Sequence, residues 1–202
     1  AEDREGFYTF RWQYQDSLSP EVRVFVMRDW IATIETNFGN IVADIYPDVA
    51  PNHVLNFLSL VRKGFYSNGR FYRVIAGFMM QGGNPKEAGK VPNVAAEFNE
   101  RKHLAGTLSM ARTDAPNSAS SEFFICFAAA PHLDRAYTVF GGVVEGMEVV
   151  QSVEKEKTDH SPCAGCGKTL PAQPTQHCGS HHEDKPVRDV IIKSITLSVR
   201  KK

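Results

Sequence analysis

Hydrophobic and polar residues alternate with a period of two along most of the chain. Such alternation predicts half-buried β-strands, whereas apolar residues three or four positions apart predict one face of an α-helix. Helices are predicted at 51–64, where Pro51 suits the first turn and Gly64 can end the helix, and at 147–155. Strands are predicted at Ile31–Glu35, Ile41–Tyr46, Phe71–Ile75, Phe78–Gln81, Ala95–Phe98, Gly106–Ala111, Glu122–Phe127, Thr138–Val144 and Val190–Val199. Many strands and two helices predict a mostly-β fold, a barrel or a sandwich.

The first 29 residues alternate in the same way but precede the main predicted domain, residues 30–199. Aromatic side chains occupy every second position from Tyr8 to Tyr14, and valines do so from Val22 to Val26. We expect this N-terminal extension, residues 1–29, to form a hairpin that packs on the main domain. The alternative is that its aromatic residues form an edge strand for a partner or a second copy.

Residues 157–186 break the pattern and are predicted to be an insertion in the main domain. They contain four prolines and a cluster of cysteine and histidine residues. The donors that could hold a structural zinc ion are Cys163, Cys166, Cys178 and His181, with His177 or His182 as alternatives to His181. A disulfide in an oxidising compartment and an inert loop are the other two interpretations. Cys126 lies apart in an apolar run and is predicted to be a small buried hydrophobe.

Charge and hydropathy narrow the classes of partner. The chain has 23 Lys and Arg against 23 Asp and Glu, so its formal net charge is zero. This argues against nucleic acid as the main partner, because such proteins usually carry a basic face. The sequence contains no apolar run of the length that a membrane helix needs. The chain begins at Ala1 rather than Met, and together with the cysteine-rich insertion this favours a processed, exported protein over a cytoplasmic one.

The segment Phe71–Gly83 is the most informative one for function. It places one arginine, Arg73, among bulky apolar residues, followed by Phe78-Met79-x-Gln81 and a pair of glycines. One interpretation is structural: two core strands around a glycine turn, with the arginine extending to the surface. The other is a fixed cation beside an apolar pocket, and this second interpretation does not rest on the segment alone.

The chain resembles the cyclophilins, which are peptidyl-prolyl cis-trans isomerases, from about Trp30 to Lys155 and again from Val187 to Val199. The matching blocks are Thr36–Gly39, Ala50–Phe57, Phe71–Gly83, Gly106–Ala111, Pro116–Ile125 and Val139–Gly141. The residue sequence of Tyr137–Gly141 is similar to that of the bacterial members of the family. The resemblance implies an eight-stranded antiparallel β-barrel capped by two helices. It also implies an isomerase that acts on X–Pro bonds of proline-containing polypeptides and assists protein folding.

The chemistry of this reaction limits what the site must contain. An X–Pro bond has partial double-bond character, so its uncatalysed rotation has a barrier of about 18–20 kcal/mol and is slow. No bond is broken, so catalysis needs no nucleophile, metal or cofactor. A guanidinium that donates a hydrogen bond to the proline nitrogen, and an apolar pocket for the ring, accelerate rotation when they bind the twisted amide best.

The resemblance also implies roles for individual residues. Arg73 matches the catalytic arginine, and Gln81 matches the polar residue that helps to orient it and the substrate. The proline pocket matches Phe78, Met79, Phe124 and Leu133, and the strand that pairs with the substrate backbone matches Ala111 and Arg112. Glu122, His132 and Tyr137 complete the implied substrate-binding set.

Four of these positions differ from the most familiar family pattern. Arg112 stands where Asn is common, Glu122 where Gln is usual, His132 where drug-sensitive members carry Trp, and Tyr137 where many carry His. We expect Glu122 to form an ion pair with Arg112 rather than with Arg73. We expect weak cyclosporin binding, because His132 offers less apolar surface than Trp. The altered Glu122 also leaves a rival interpretation, a non-catalytic module that binds proline peptides. The insertion lies outside the matching blocks and is not expected to touch the proline pocket.

Overall fold

The computed structural model describes residues 6–11, 13–14, 17–26, 28–83, 90–158 and 184–200. The strands of the N-terminal part are β1 Gly6–Phe10, β2 Gln13–Tyr14, β3 Ser17–Leu18 and β4 Val22–Val26. The main domain contains β5 Trp30–Thr36, β6 Gly39–Ile45, α1 Pro51–Arg62, β7 Gly69–Ile75, β8 Met79–Gly83, β9 Thr107–Met110, β10 Phe123–Cys126, β11 Val139–Glu145, α2 Met147–Glu154 and β12 Val190–Val199. A short 3-10 helix, Pro131–Leu133, lies between β10 and β11.

Eight of these strands close into an antiparallel barrel, as the fold prediction required. Their order around the barrel is β10-β8-β7-β12-β5-β6-β11-β9, and β9 pairs with β10 to complete the circle. Strands β5 and β6 form a hairpin in which Thr36 pairs with Gly39. The two helices and the mostly-β content agree with the expected fold.

Apolar side chains that alternate along the strands fill the barrel. In β5 and β6, for example, Ala32, Ile34, Ile41 and Ala43 are fully buried. Helix α1 adds a face whose central residue, Phe57, contacts the rings of other core aromatics at centroid distances of 5.3–5.8 Å. Each such side chain contributes about 1.5–3 kcal/mol when it leaves water. The period-two and helical patterns therefore predicted these elements because each has one buried face.

The strand predicted at Ala95–Phe98 does not form. In the described part of the chain, this region makes a single isolated bridge, Val94 to Ala119. Its backbone N–H groups bond to side chains instead: Ala96 donates to Asn117 Oδ1 and Glu97 donates to Thr138 Oγ1. The prediction was wrong because local alternation cannot show that side-chain acceptors replace a neighbouring strand.

Glu97 from this irregular segment completes the N-terminus of helix α1. Ala50 at the N-cap position has no side chain that can accept a hydrogen bond. The Glu97 carboxylate accepts from the backbone N–H of Asn52 at 3.0 Å and of His53 at 2.9 Å. These bonds satisfy donors that a helix start otherwise leaves open. Burial raises the pKa of Glu97, but the hydrogen bond from the His53 ring at 2.7 Å and these two backbone bonds outweigh it, so the pKa is lowered.

The N-terminal part contains two antiparallel strand pairs, β1 with β4 and β2 with β3. Its packing on the barrel stays a prediction, as does the division of the chain into extension and main domain. Cys126 is fully buried, as expected, and burial raises the pKa of its thiol to about 12. In the part of the chain that the structure describes, no helix has the length and apolar character needed to cross a membrane.

Candidate active site

A β-bulge in strand β7 turns Arg73 toward the outside of the barrel. The register with β8 shifts between Phe71 and Arg73. As a result, Phe71 and Val74 face the core while the two residues between them, Tyr72 and Arg73, are both partly exposed. Bulges commonly re-aim side chains next to functional sites. The sequence signal is a pair of adjacent non-core residues in an otherwise alternating strand.

Strand β8 places Gln81 between Arg73 and Phe124. Gln81 pairs with Arg73 of β7 on one side and with Phe124 of β10 on the other. The next residue, Gly82, allows the strands to approach closely, because a Cβ at this position would lie 2.6 Å from the carbonyl oxygen of Arg70. A cation, an amide and an aromatic ring therefore lie side by side across three neighbouring strands.

These residues border a small pocket of about 110 Å³. Its lining contains all the predicted site residues except Glu122 and His132: Arg73, Phe78, Met79, Gln81, Ala111, Arg112, Phe124, Leu133 and Tyr137. Met79, Phe124 and Leu133 are at most 7% exposed and belong to a second apolar cluster, separate from the barrel core. The pocket therefore has an apolar base and polar groups at its mouth.

The two remaining residues lie next to this pocket. The ring of His132 contacts that of Phe78, with centroids 5.4 Å apart. Glu122 lines an adjacent cavity of about 440 Å³, which shares Gln81, Ala111 and Arg112 with the first one. The structure thus brings the predicted substrate-binding set into one groove.

The expected ion pair between Glu122 and Arg112 does not form. Glu122 Oε2 instead accepts hydrogen bonds from the hydroxyl of Tyr72 at 2.5 Å and from Gln81 Nε2 at 3.0 Å. Gln81 Nε2 also donates to the Tyr72 hydroxyl at 2.8 Å. Burial, and then the bond to Glu122, raise the pKa of Tyr72. We call this arrangement the Tyr72–Gln81–Glu122 triangle, and the sequence analysis did not include Tyr72.

The guanidinium of Arg112 is held by backbone carbonyl oxygens. It donates to Ala136 at 2.9 and 3.0 Å and to Thr113 at 2.8 Å, and its Cζ lies 4.4 Å from the centre of the Tyr137 ring. The predicted ion pair between Glu122 and Arg112 was wrong because it rested on opposite charges alone. The sequence does not show that backbone carbonyl oxygens lie within reach of Arg112. Arg112 nevertheless lies in the groove, as predicted.

The described end of the insertion contacts Arg73, although Asp184 is not among the residues that line the small pocket. Arg73 Nε donates a long hydrogen bond of 3.4 Å to Asp184 Oδ2. The backbone N–H of Val74, the next residue of β7, donates to the carbonyl oxygen of Asp184 at 2.8 Å. The hydrogen bonds of Gln81 go to the triangle rather than to Arg73. No local pattern links residues so far apart in the chain, so this contact could not be predicted from the sequence.

The predicted zinc ligands Cys163, Cys166, Cys178 and His181 lie outside the described residues. Within the described ranges, no group of three or more His, Cys, Asp or Glu side chains could hold a metal ion. The described structure therefore provides no support for zinc.

A buried histidine supports the pocket from behind. The ring of His103 stacks on Phe124 at 6.0 Å, and its Nδ1 donates to Asp134 Oδ1 at 3.1 Å. Its Nε2 lies 3.0 Å from Ser109 Oγ. Burial lowers the pKa of His103, and the hydrogen bonds from His103 help to lower the pKa of Asp134 to about 2. The sequence analysis missed both residues.

A closed eight-stranded barrel with an arginine beside an apolar pocket on its outer face has the architecture of a cyclophilin-type isomerase. The family model described as cyclophilin type peptidyl-prolyl cis-trans isomerase/CLD matches residues 31–197. The chain therefore belongs to the cyclophilin-type peptidyl-prolyl cis-trans isomerases, as the sequence resemblance implied.

Individual relatives agree with this assignment. The chain is 38% identical to peptidyl-prolyl cis-trans isomerase B of Escherichia coli (strain K12), over 83% of this chain and 99% of that protein. It is 43% identical to peptidyl-prolyl cis-trans isomerase CYP18-1 of Arabidopsis thaliana, over 62% of this chain and 83% of that protein. A crystal structure of a cyclophilin type isomerase of Cryptosporidium parvum has a TM-score of 0.70 and 28% identity, over 87% of this chain and 100% of that one. Since these relatives include bacterial and plant proteins, membership of the bacterial branch stays a prediction.

Proposed function

We propose that the groove around Arg73 is the active site at which this cyclophilin-type isomerase rotates X–Pro bonds. The observation that carries the proposal is the position of the guanidinium. Arg73 lines the same small pocket as Met79, Phe124 and Leu133, whose side chains are almost fully buried. A proline ring in this pocket would place its nitrogen at the rim, within reach of the arginine.

The arrangement favours the twisted amide over either planar isomer. When the X–Pro bond twists, the proline nitrogen loses conjugation and becomes a better hydrogen-bond acceptor. A preorganised guanidinium then stabilises the transition state more than the ground state, which is the condition for catalysis. The apolar base holds the ring without competing for polar groups, and the reaction requires no cofactor.

Proline-containing polypeptides are the proposed partners. A second crystal structure from Cryptosporidium parvum is described as determined in the presence of the dipeptide ala-pro, and it has a TM-score of 0.68 and 28% identity, over 85% of this chain and 99% of that one. The adjacent cavity lined by Ala111, Arg112 and Glu122 extends the groove beyond the proline pocket. We propose that it receives residues of the substrate that flank the proline.

Replacement of Arg73 by alanine tests the proposal. A protease-coupled assay with a short proline peptide should show kcat/KM reduced by about 10²–10³, the usual effect of removing one preorganised donor. Arg70→Ala is the matched control, since Arg70 lies on the same strand and forms a surface ion pair with Asp189 at 3.4 Å. Near-wild-type activity of Arg73→Ala would refute the assignment. A wild-type protein that binds the peptide without accelerating rotation would instead support the rival binding module.

We also propose that the cysteine and histidine set of the insertion has a structural role separate from catalysis. Cys163, Cys166, Cys178 and His181 have the donor chemistry of a zinc site, and a disulfide is the alternative. Metal analysis and thiol titration of protein purified without a His tag distinguish the two. One equivalent of zinc would support the first, and loss of two free thiols without zinc would support the second.

A further inference from the structure

We propose that Asp184 is a positioning residue for Arg73, so that the end of the insertion sets the orientation of the catalytic guanidinium. This inference rests on the proposed role of Arg73. It assigns to Asp184 the orienting role that the family resemblance implied for Gln81.

Two contacts fix Asp184 against strand β7. Its carbonyl oxygen accepts from the backbone N–H of Val74 at 2.8 Å, and its Oδ2 accepts from Arg73 Nε at 3.4 Å. The Asp184 side chain is 18% exposed, so the carboxylate is the more buried partner of the pair. Because the backbone bond involves the residue next to Arg73, it places the backbone of Asp184 beside this part of strand β7.

The insertion is closed at its base, close to Asp184. Val187 donates its backbone N–H to the carbonyl oxygen of Lys157 at 2.7 Å, and Thr158 forms an isolated bridge with Pro186. Asp184 itself has a positive φ of 52°, a conformation that Asp and Asn adopt more readily than most residues. Asp184 is therefore held in a defined place by the chain on both sides of the insertion.

The contact orients the guanidinium without blocking it. Arginine has five N–H donors, and Asp184 takes the one on Nε. Within the described residues, the Arg73 side chain forms no other hydrogen bond, so its two Nη groups remain available to a substrate. At 3.4 Å the bond is longer than a typical charge-assisted one, so it restrains the side chain while leaving its donor strength largely intact.

The expected effect of Asp184 is on catalysis rather than on stability. Arg73 is 36% exposed, and ion pairs at such positions contribute little to folding. Arginine side chains have many rotamers, so an unrestrained Arg73 would meet the proline nitrogen in the right geometry less often. Removal of the side-chain acceptor should therefore reduce kcat while the apolar pocket, and with it peptide affinity, stays unchanged.

Two substitutions at Asp184 distinguish the effect of the side-chain acceptor from that of the backbone conformation. Asp184→Gly removes the side chain and keeps a residue that accepts positive φ, whereas Asp184→Asn keeps both the acceptor oxygen and the conformation. Asp189→Gly is the control, because it removes an ion pair of the same 3.4 Å length from Arg70, which lies on the same strand as Arg73. All variants are compared in the protease-coupled assay, by peptide titration and by thermal unfolding.

The expected results are specific to the pair. Asp184→Gly should lower kcat/KM about tenfold, less than the ~10² that a full misplacement of a reacting group can cause. Its peptide affinity and melting temperature should stay at wild-type values. Asp184→Asn should retain at least a third of the activity, and Asp189→Gly should retain all of it. In an Arg73→Ala background, assayed at high enzyme concentration, Asp184→Gly should have no further effect.

Wild-type kcat/KM in Asp184→Gly, or a tenfold loss that persists when Arg73 is alanine, would overturn the positioning role. A loss of activity that is accompanied by a lower melting temperature would also overturn the positioning role, since it indicates a structural contact. Failure of the proposed function gives different results: Arg73→Ala itself remains active, or the wild-type protein does not catalyse rotation. Either result would overturn both the proposed function and the positioning role of Asp184.

Discussion

The Tyr72–Gln81–Glu122 triangle leads to a prediction that contrasts two neighbours of the same carboxylate. In the structure Glu122 is bonded to Tyr72 and Gln81, while Arg112 is bonded to backbone carbonyls. Substitution of Glu122 by Gln should therefore interact energetically with substitution of Tyr72 by Phe. It should not interact with substitution of Arg112 by Asn.

The magnitude follows from the two bonds that Glu122 accepts. The bond from Tyr72 is 2.5 Å long, in the range of hydrogen bonds to a charged oxygen. Bonds to charged groups contribute about 1.5–3 kcal/mol and neutral ones about 0.5–1.5 kcal/mol, so Glu122→Gln should lower the free energy of unfolding by about 1 kcal/mol for each of the two bonds. Once Tyr72 is Phe, the same change should weaken only the bond from Gln81, which gives a coupling of about 1 kcal/mol between Glu122 and Tyr72.

The assay is a pair of double-mutant cycles, measured by urea unfolding and by kcat/KM. The first cycle combines Glu122→Gln with Tyr72→Phe, and the second combines Glu122→Gln with Arg112→Asn. We expect the second cycle to be additive to within about 0.5 kcal/mol, as for residues without a shared partner. The shared Glu122 substitution makes each cycle the control of the other.

The opposite set of couplings in the two cycles would contradict these contacts. A coupling of 1 kcal/mol or more between Glu122 and Arg112 would mean that the ion pair expected from the sequence exists in solution. Additivity between Glu122 and Tyr72 would mean that the short hydrogen bond contributes nothing measurable. A coupling in kcat/KM without one in stability would show that the triangle acts on Gln81 and the substrate only.

Three further predictions concern His132, the buried pair of His103 and Asp134, and the insertion. Wild-type cyclosporin binding should be weak and His132→Trp should tighten it, because an indole adds an N–H donor and apolar area; a nanomolar dissociation constant for the wild-type protein in direct titration would contradict this. Stability in urea should fall as the pH drops below about 6.5, since burial lowers the pKa of His103 and the unfolded chain binds the proton first. It should fall further from about pH 4 toward 2 as Asp134, with its lowered pKa, is protonated, and Asp134→Asn should flatten this second decline. Replacing residues 160–182 by a short Gly/Ser bridge should leave kcat/KM within a few-fold of wild type, whereas a deletion that also removes Asp184 should lower it about tenfold.

The barrel was predictable because each of its elements buries one face. Alternation in Ile31–Glu35 and Ile41–Tyr46, and helical spacing after Pro51, translate directly into side chains that leave water. The segment Ala95–Phe98 failed the same test for a physical reason. Its alternating residues serve hydrogen bonds to side chains and the capping of a distant helix, and neither function has a period.

The residues that line the groove were predictable from the sequence, but their hydrogen-bond partners were not. Strand register carries Arg73, Gln81 and Phe124 to the same place, so residues identified by resemblance come together. Which partner each polar group chooses depends on the bulge that exposes Tyr72 and on Asp184, which reaches β7 from the far end of the insertion. Such choices depend on three-dimensional positions that charge and spacing along the chain do not encode.

The partner choices explain how a carboxylate can replace the usual amide near Arg73, the proposed catalytic residue. Glu122 is engaged by Tyr72 and Gln81, and Arg112 by backbone carbonyls, so neither charge is directed at the other or at Arg73. Within the described residues, Arg73 keeps both Nη groups open toward the pocket while Asp184 restrains Nε. The feature that favoured a non-catalytic binding module is thus neutralised by a tyrosine one residue before the arginine. The bulge that exposes Arg73 therefore also exposes Tyr72, whose hydroxyl donates to Glu122.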